Sequence, residues 1–329
     1  MKKYVAYGIG AALVDTEIKV EDSELAQMNV DKGMMTLVNG ERQAQLLNHL
    51  EGHLVKASHA SGGSAGNSMI ATAQFGGPTF MSCKVANDAD GDIYIADLEA
   101  AGVDHCLNGE REQGTTGKCL VLISPDAERS MNSHLAISET LSVDQLVPEA
   151  ITQSEYLYIE GYQVTSPTGR AAAIRARESA EDAGVKTAIS FSDPGMVEFF
   201  REGMEEMVGE RVNLVFCNEA EALGWGQTDN LDVAIEKLKQ VTDTFVITRG
   251  GEGALTFDGE AMAEIPPHKV QAVDSNGAGD MFAGAFLYAL SRGEDFPTAG
   301  RFASLAAGKI VANYGPRLPA ADYLSLIHI

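Results

Sequence analysis

The residues best suited to chemistry lie near the C-terminal end, where Asp274-Ser275-Asn276-Gly277-Ala278-Gly279-Asp280 runs into the apolar stretch 281–287. Glycine lets the backbone turn with its N–H groups pointing one way, and the following helix adds unpaired N–H groups and the positive end of its dipole. This junction predicts a phosphate site. A carboxylate beside bound phosphate is repelled unless it has a proton to collect, so Asp280 indicates phosphoryl transfer to an alcohol. The alternative is that Asp280 only caps the helix.

A second glycine turn, Ser61-Gly62-Gly63-Ser64-Ala65-Gly66-Asn67-Ser68, precedes the helical run 69–75. Gly62 and Gly63 allow a ligand to approach the backbone closely, and Asn67 offers both a donor and an acceptor to a diol. The turn therefore predicts a hydroxyl-binding site. A flexible loop with Ser64 as the helix cap is the alternative.

A polar turn, Asn218-Glu219-Ala220-Glu221, follows a predicted buried strand, at the edge where α/β sheets bind their ligands. Asn218 and Glu221 are three residues apart and share one helical face. Such a pair can hold Mg²⁺ through its waters, which that cation gives up reluctantly. Plain helix capping explains the same spacing.

The segment Thr248-Arg249-Gly250-Gly251-Glu252-Gly253-Ala254 also follows a predicted strand. Three glycines and an arginine at a sheet edge suit nucleotide phosphates or a ribose lying across the backbone. A tight hairpin into 254–257 would account for the glycines equally well.

Strand-like and helix-like runs alternate through the middle and C-terminal parts, which is typical of a parallel sheet with crossover helices. The predicted strands are Tyr156–Glu160, Lys186–Phe191, Val212–Phe216 and Thr244–Thr248, after a first strand near the N-terminus. The predicted helices are Thr168–Ala183, Met196–Val208, Asn218–Trp225, Asp232–Val241, Ala278–Ser291 and Pro297–Ala312. The fold class is therefore α/β, with a doubly wound, mostly parallel sheet.

Two regions depart from this alternation, because their β-type segments follow one another without crossover helices. These segments are 16–20, 34–38, 118–123 and 129–132. They predict a small β lid of residues 15–60 and 106–134, beside a large domain of residues 1–14, 61–105 and 135–329.

Composition limits the function classes. A chain of 329 residues with 45% hydrophobic content can bury a full α/β core. The formal charge of −23 argues against nucleic acid and anionic membranes as partners, since both require a basic surface. The N-terminal residues read as a strand and not a secretory signal, which favours a cytoplasmic protein. Four cysteines without paired spacing predict no zinc site.

Together these segments resemble the ribokinase-like carbohydrate kinases, the phosphofructokinase B family, and within it the adenosine kinase branch. The match covers nearly the whole chain in order, through 8–15, Gly62-Gly63 with Asn67, Glu128-Arg129-Ser130-Met131-Asn132, Asn218 with Glu221, Thr248-Arg249-Gly250 with Gly253, and 274–280. The resemblance implies a doubly wound α/β domain with a β lid. Ser275 is one departure, because the family usually carries threonine there.

The resemblance also implies residue roles. Asp280 is expected to be the base for a primary hydroxyl, and the backbone of Gly277, Ala278 and Gly279 the anion hole. Arg129, by default a surface charge, becomes a lid arginine that reaches the transferring phosphate. The remaining implied contacts are Asp15, Gly62, Gly63 and Asn67 for the sugar diol, Asn218 with Glu221 for magnesium, and Asn218, Thr248, Arg249, Gly250, Gly253 and Asn276 for the nucleotide. The expected cofactors are ATP and Mg²⁺, with a monovalent cation such as K⁺ as a further candidate.

The acceptor is the open question at this level. Asn276 and the lid residues Met34 and Met35, which suit a flat purine, favour adenosine phosphorylated at its 5′-hydroxyl. A free sugar such as ribose or fructose is the alternative within the same chemistry. A regulator that only binds ligands would require a missing catalytic group, and none is missing. The expected partners are the nucleoside or sugar and ATP, in a monomer or homodimer.

Overall fold

The computed structural model describes residues 2–51 and 59–327. Residues 52–58 of the predicted lid, and residues 1 and 328–329 of the predicted large domain, lie outside these ranges. Within this part the strands are β1 Tyr4–Ile9, β2 Leu13–Lys19, β3 Met35–Leu37, β4 His59–Gly62, β5 Thr79–Ser82, β6 Val103–His105, β7 Gly117–Ile123, β8 Arg129–His134, β9 Ser154–Glu160, β10 Lys186–Ser190, β11 Val212–Asn218, β12 Thr242–Thr248, β13 Ala254–Phe257 and β14 Met262–Ile265. The α-helices are α1 Asp22–Gln27, α2 Gly40–His49, α3 Ser64–Gln74, α4 Ala89–Ala101, α5 Pro148–Thr152, α6 Pro167–Asp182, α7 Pro194–Phe199, α8 Arg201–Val208, α9 Glu219–Gly226, α10 Leu231–Leu238, α11 Ala278–Ser291, α12 Phe296–Val311 and α13 Ala320–Ile327.

The large sheet has the order β14-β13-β12-β11-β10-β9-β1-β5-β6. From β12 to β6 all neighbouring strands are parallel, and only the β12-β13-β14 edge is antiparallel. One face packs on α3, α4, α11, α12 and α13, and the other on α5 to α10. This confirms the predicted doubly wound fold. The strand order reverses between β1 and β9, which is where such folds bind ligands.

The small sheet has the order β3-β8-β7-β2-β4 and mixes parallel and antiparallel pairs. The expectation that no helices separate its segments is wrong, because α1 and α2 connect β2, β3 and β4. Both helices carry start signals: Glu21 and Glu24 form a capping box, and Asn39 accepts a hydrogen bond from the N–H of Arg42. Their apolar residues cover the outer face of the sheet. The division into two domains at the predicted boundaries stays a prediction.

The predicted helix 196–208 is also wrong in one respect, since the chain forms two helices that meet at Phe200. The backbone of Phe200 has φ −120° and ψ 27°, outside the helical region. The helix Ala278–Ser291 begins and ends at the predicted residues. Among the helices of residues 2–51 and 59–327, none combines the length and apolar character needed to cross a bilayer.

Candidate active site

A cavity of about 400 Å³ lies between the inner face of the small sheet and the carboxyl ends of β9 to β12. Its walls come from the small sheet, the start of α3, the strand ends and the loop before α11. The cavity brings together most of the predicted site residues: Asp15, Met35, Gly63, Asn67, Arg129, Asn218, Glu221, Thr248, Gly250, Asn276, Gly277, Ala278, Gly279 and Asp280. Of the described residues predicted for the site, Met34, Gly62, Arg249 and Gly253 do not line it.

The loop before α11 presents bare backbone donors to this cavity. Gly277 caps the helix in a left-handed conformation, with φ 73°, and no side chain caps the first turn. A side chain at Gly277 would collide with Pro316, whose Cα would lie 2.7 Å from the added carbon. The N–H groups of Gly279 and Asp280 therefore stay available for an anion, as the glycine spacing predicts, while the N–H of Ala278 donates weakly to the carbonyl of Ser275 at 3.3 Å.

Asp280 lies in the first turn of α11, and its carboxylate is held from two sides. The hydroxyl of Ser64 donates to Oδ1 at 2.6 Å, and the amide Nδ2 of Asn67 donates to Oδ2 at 3.0 Å. Burial raises the pKa of Asp280 above its ordinary value, and these two hydrogen bonds oppose the rise. A carboxylate fixed in this way beside an anion site can accept a proton from a nearby hydroxyl. Helix capping through its side chain is not observed.

Among the predicted diol residues, Asp15, Gly63 and Asn67 line the same cavity as Asp280. Asp15 is 5% exposed, and its Oδ1 is buried without a hydrogen-bond partner among the described residues. Burial and the neighbouring Glu17 carboxylate raise the pKa of Asp15 to about 8. Gly62 packs directly on Asp15, since an added Cβ would lie 2.1 Å from Oδ1. Gly62 therefore shapes this part of the site without lining it. An acceptor hydroxyl would supply the missing partner of Asp15.

The loop before α11, residues 274–277, is called the anion loop below. The small sheet contacts this loop at three points. Arg129 donates from its guanidinium to the carbonyl of Ser275 at 2.8 Å, and the Ser275 hydroxyl donates to the carbonyl of Ala127 at 3.0 Å. Asn276 donates from Nδ2 to Oε1 of Glu17 at 3.0 Å. Asn276, predicted as a nucleotide contact, thus uses its amide to join the loop to β2. Arg129 is half-buried and contacts the loop before α11, so it is not a freely solvated surface charge; its role toward the transferring phosphate stays a prediction.

The Asn218–Glu221 pair forms a reciprocal capping box. The backbone N–H and Nδ2 of Asn218 donate to the two Glu221 oxygens at 3.0 and 2.7 Å, and the Glu221 N–H donates to Asn218 Oδ1. Burial raises the pKa of Glu221 to about 7. Within residues 2–51 and 59–327, no group of three or more His, Cys, Asp or Glu side chains is arranged to hold a metal. The Glu221 carboxylate lines the cavity, but both of its oxygens already accept hydrogen bonds from Asn218. It therefore fits Mg²⁺ only through the water ligands of the ion.

The 248–254 segment is a hairpin connection between the antiparallel strands β12 and β13. Thr248 and Gly250 line the cavity, but Arg249 pairs with Glu219 at 2.8 Å and with Glu252 at 2.6 Å. Gly253 has φ 93°, and an added Cβ would lie 2.0 Å from the carbonyl oxygen of Ile265. The hairpin alternative therefore accounts for Gly253, and nothing in the described contacts directs Arg249 toward the cavity.

The lid side of the cavity is largely apolar. Met35 and Leu37 alternate along β3 on the face that lines the cavity, while Met34 precedes the strand and does not line it. Leu13, Met131 and Leu135 extend this wall. Such a wall suits a flat, weakly polar group.

Sequence reasoning missed three charged residues around this site. Glu160 ends β9 and accepts from the N–H groups of Ala11 at 3.1 Å and Ala65 at 2.8 Å. A carboxylate ending an apolar strand at the ligand-binding edge was a usable signal for it. Glu17 follows Asp15 by two residues and so shares its strand face. Arg317 contacts Asn67 from a segment far along the chain, and no local pattern marks it.

Comparison with known proteins places this geometry in a family. The model of the pfkB family carbohydrate kinases matches residues 36–322. The structure of adenosine kinase from Sinorhizobium meliloti is 31% identical, with a TM-score of 0.91 and coverage of 98% of this chain and 99% of that one. A probable sugar kinase from Rhizobium etli is 28% identical, with a TM-score of 0.92 and coverage of 99% and 100%.

A curated relative agrees with these structures. Adenosine kinase from Schizosaccharomyces pombe is 27% identical over 319 residues, which cover 89% of this chain and 90% of that protein. With a family match over most of its length, a ribokinase-like fold and an anion loop that carries an acidic residue, the chain belongs to the pfkB family of carbohydrate kinases and is an ATP-dependent kinase.

Proposed function

We propose that this kinase transfers the γ-phosphoryl group of ATP to the 5′-hydroxyl of a nucleoside, with adenosine as the preferred acceptor. The observation that carries the proposal is the placement of Asp280. Its carboxylate lies in the first turn of α11, accepts hydrogen bonds from Ser64 and Asn67, and lines the same cavity as Asp15. An alcohol held by Asp15 and Asn67 would present its oxygen to both the base and the phosphate.

In this proposal Asp280 accepts the proton of the attacking hydroxyl. The backbone N–H groups of Gly277, Ala278 and Gly279 hold the oxygens of the transferring group, and Arg129 adds a positive charge from the lid. Phosphoryl transfer passes through a loose transition state, so positioning and charge stabilisation supply most of the rate acceleration. The lid contacts at Ser275 would exclude water, the competing nucleophile.

The nucleotide is proposed to lie along the ends of β11 and β12, beside Asn218, Thr248 and Gly250. Mg²⁺, when bound, would neutralise charge on the phosphates. Glu221 would hold it through water, because both carboxylate oxygens already accept hydrogen bonds from Asn218. Dependence on a monovalent cation such as K⁺ stays a prediction.

The apolar lid wall supports a nucleoside over a free sugar. A furanose needs hydroxyl partners, which Asp15 and Asn67 provide, but it would leave Met35, Leu37 and Met131 facing water. A nucleobase would cover these side chains and gain the free energy of apolar burial. The names of the relatives support the same acceptor, although one of the compared structures is called a probable sugar kinase.

A coupled assay of ADP release with adenosine, inosine, guanosine, ribose and fructose tests the proposal. ADP release without acceptor gives the background rate. We expect the specificity constant for adenosine to exceed those for ribose and fructose by at least about tenfold, because only the nucleoside covers the lid wall. A higher constant for ribose or fructose would replace the proposal with the sugar-kinase alternative.

A further inference from the structure

Arg317 lies in the segment between α12 and α13, which packs against the anion loop. The N–H of Gly315 donates to Oδ2 of Asp274 at 3.0 Å, and Pro316 lies against Gly277. Asp274 in turn accepts from the N–H of Asn276 at 2.8 Å. The two residues before Arg317 are therefore fixed to the loop that presents the phosphate donors.

The guanidinium of Arg317 joins three other elements. It donates to the carbonyl and hydroxyl oxygens of Ser61 at the end of β4, to Oδ1 of Asn67 on α3 at 3.4 Å, and to Oδ2 of Asp97 on α4 at 3.3 Å. Its side chain is only 18% exposed. Ser61 and Asn67 flank the Gly62-Gly63 turn at the proposed hydroxyl site. The rigid fork of an arginine can hold several acceptors in one geometry, which a lysine cannot.

Contact with Arg317 holds the oxygen end of the Asn67 amide. A guanidinium has no acceptor, so the oxygen of Asn67 must face Arg317 and its nitrogen must face away. That nitrogen donates to Oδ2 of Asp280 at 3.0 Å. The Asp280 carboxylate has no donor and requires the same orientation, so Arg317 and Asp280 hold the Asn67 amide from its two ends.

We propose that Arg317 is a positioning residue for phosphoryl transfer. It holds Asn67 and the Gly62-Gly63 turn in a fixed position relative to the anion loop and to Asp280. The proposal rests on the proposed function, since it assigns the acceptor site to these elements. In the proposed function, Arg317 touches neither the acceptor nor ATP. Its side chain acts through Asn67 on the acceptor side, while Gly315 and Pro316 anchor the backbone of its segment to the loop before α11.

The positive charge of Arg317 acts in the same direction. It lowers the pKa of both Asp15 and Asp280, which burial raises. Three further charges act on these carboxyls: the Arg129 guanidinium lowers the pKa of Asp280, and the carboxylates of Glu17 and of Asp280 itself raise the pKa of Asp15. Arg317 therefore favours the ionised forms that accept hydroxyl protons and hydrogen bonds.

Three variants of the full-length protein test the proposal. Arg317→Met removes the charge and the fork, and Arg317→Lys keeps the charge alone. Arg111→Met is the matched control, because Arg111 is equally buried, with 17% of its side chain exposed, and donates to a backbone carbonyl, an asparagine and an aspartate away from the cavity. For each protein we would measure the acceptor Kd without ATP, the KM for ATP, and kcat/KM for the acceptor against pH.

We expect Arg317→Met to weaken acceptor binding about tenfold to a hundredfold with little change in the KM for ATP, because charge-assisted hydrogen bonds to the acceptor side are lost. The acid limb of its pH profile should move upward by on the order of 0.5–1 unit, since Asp15 and Asp280 lose a stabilising charge. Arg317→Lys should weaken acceptor binding but leave the acid limb in place, and Arg111→Met should match the wild type.

Equal losses for acceptor and ATP in Arg317→Met, or an unmoved acid limb, would overturn the proposal and leave Arg317 a structural residue. If Arg317→Met does not fold, Arg317→Lys decides: wild-type acceptor affinity in that variant overturns the proposal. The acceptor used is whichever the wild type phosphorylates best. A failure of the adenosine assignment would therefore appear in the wild type alone, and a failure of this proposal only in the variants.

Discussion

Gly279 offers a substitution that separates folding from catalysis. It is the second residue of α11, it lines the cavity, and an added Cβ would meet no atom within 4 Å. The backbone at Gly279 is helical, so alanine is compatible with it. Gly279→Ala should therefore leave the free energy of unfolding unchanged or raise it by at most about 1 kcal/mol, the difference in helix propensity.

The same methyl group should impair phosphoryl transfer. In the proposed site, a phosphate oxygen that accepts from the first-turn N–H groups at about 2.9 Å would occupy the open space that the methyl fills. Loss of one anion-hole donor typically lowers turnover by about 10²–10³-fold, and we expect a decrease of this size in kcat. Binding of the acceptor without ATP should not change, because Gly279 lies on the phosphate side of Asp280.

Urea unfolding, steady-state ADP release and acceptor titration would be measured on Gly279→Ala and on a control, Gly109→Ala. Gly109 also has no atom within 4 Å of an added Cβ and lies outside the cavity, so its variant should keep full activity. Wild-type turnover in a folded Gly279→Ala protein would show that phosphate does not lie against the start of α11, and the anion-hole assignment would have to be abandoned.

Three further substitutions test other parts of the site. Arg129→Ala should lower kcat far more than it weakens acceptor binding without ATP, because the charge acts on the transferring group; equal losses would make it a binding residue. Met35→Ser should weaken adenosine binding by on the order of 1–2 kcal/mol, with little effect on any ribose activity. Met34→Ser is the neighbouring control. Unchanged adenosine affinity in both variants would show that the apolar lid wall does not contact the base. Burial raises the pKa of Glu221 from 4.5 to about 7, so its charge costs stability as the pH rises through that range. Glu221→Gln keeps one of the two hydrogen bonds from Asn218 and loses the other, a loss that is the same at every pH. Between pH 5 and pH 8 in urea unfolding, the variant should therefore lose less stability than the wild type, by on the order of 1–3 kcal/mol; an identical pH dependence would contradict the raised pKa.

The parts of the site that were predictable have local causes. The 274–280 loop and α11 follow from glycine, helix-start and apolar signals within a few residues of one another. The Asn218–Glu221 pair could be placed at a strand end for the same reason, since spacing along one helical turn determines its geometry. The parallel sheet followed from alternating strand and helix patterns, which need no knowledge of distant contacts.

The parts that were not predictable depend on packing between distant segments. Arg317 meets Asn67 across 250 positions of the chain, and Asn276 meets Glu17 across 259. The choice between Met34 and Met35 depends on strand register, because a shift of one residue exchanges the two faces of β3. Short helices such as α1 were hidden by neighbouring β-type residues, although the capping residues Glu21 and Glu24 were present.

The central claim is that Asp280 is the base for transfer to an alcohol bound beside Asp15 and Asn67. The most direct measurement is single-turnover phosphorylation of adenosine by Asp280→Asn, alongside calorimetric binding of adenosine and of ATP. We predict that both ligands bind with affinities within a few-fold of the wild type, while the rate of transfer falls by about 10²–10⁴-fold, the usual contribution of a positioned base. Transfer at a near-wild-type rate in the Asn variant would contradict the claim.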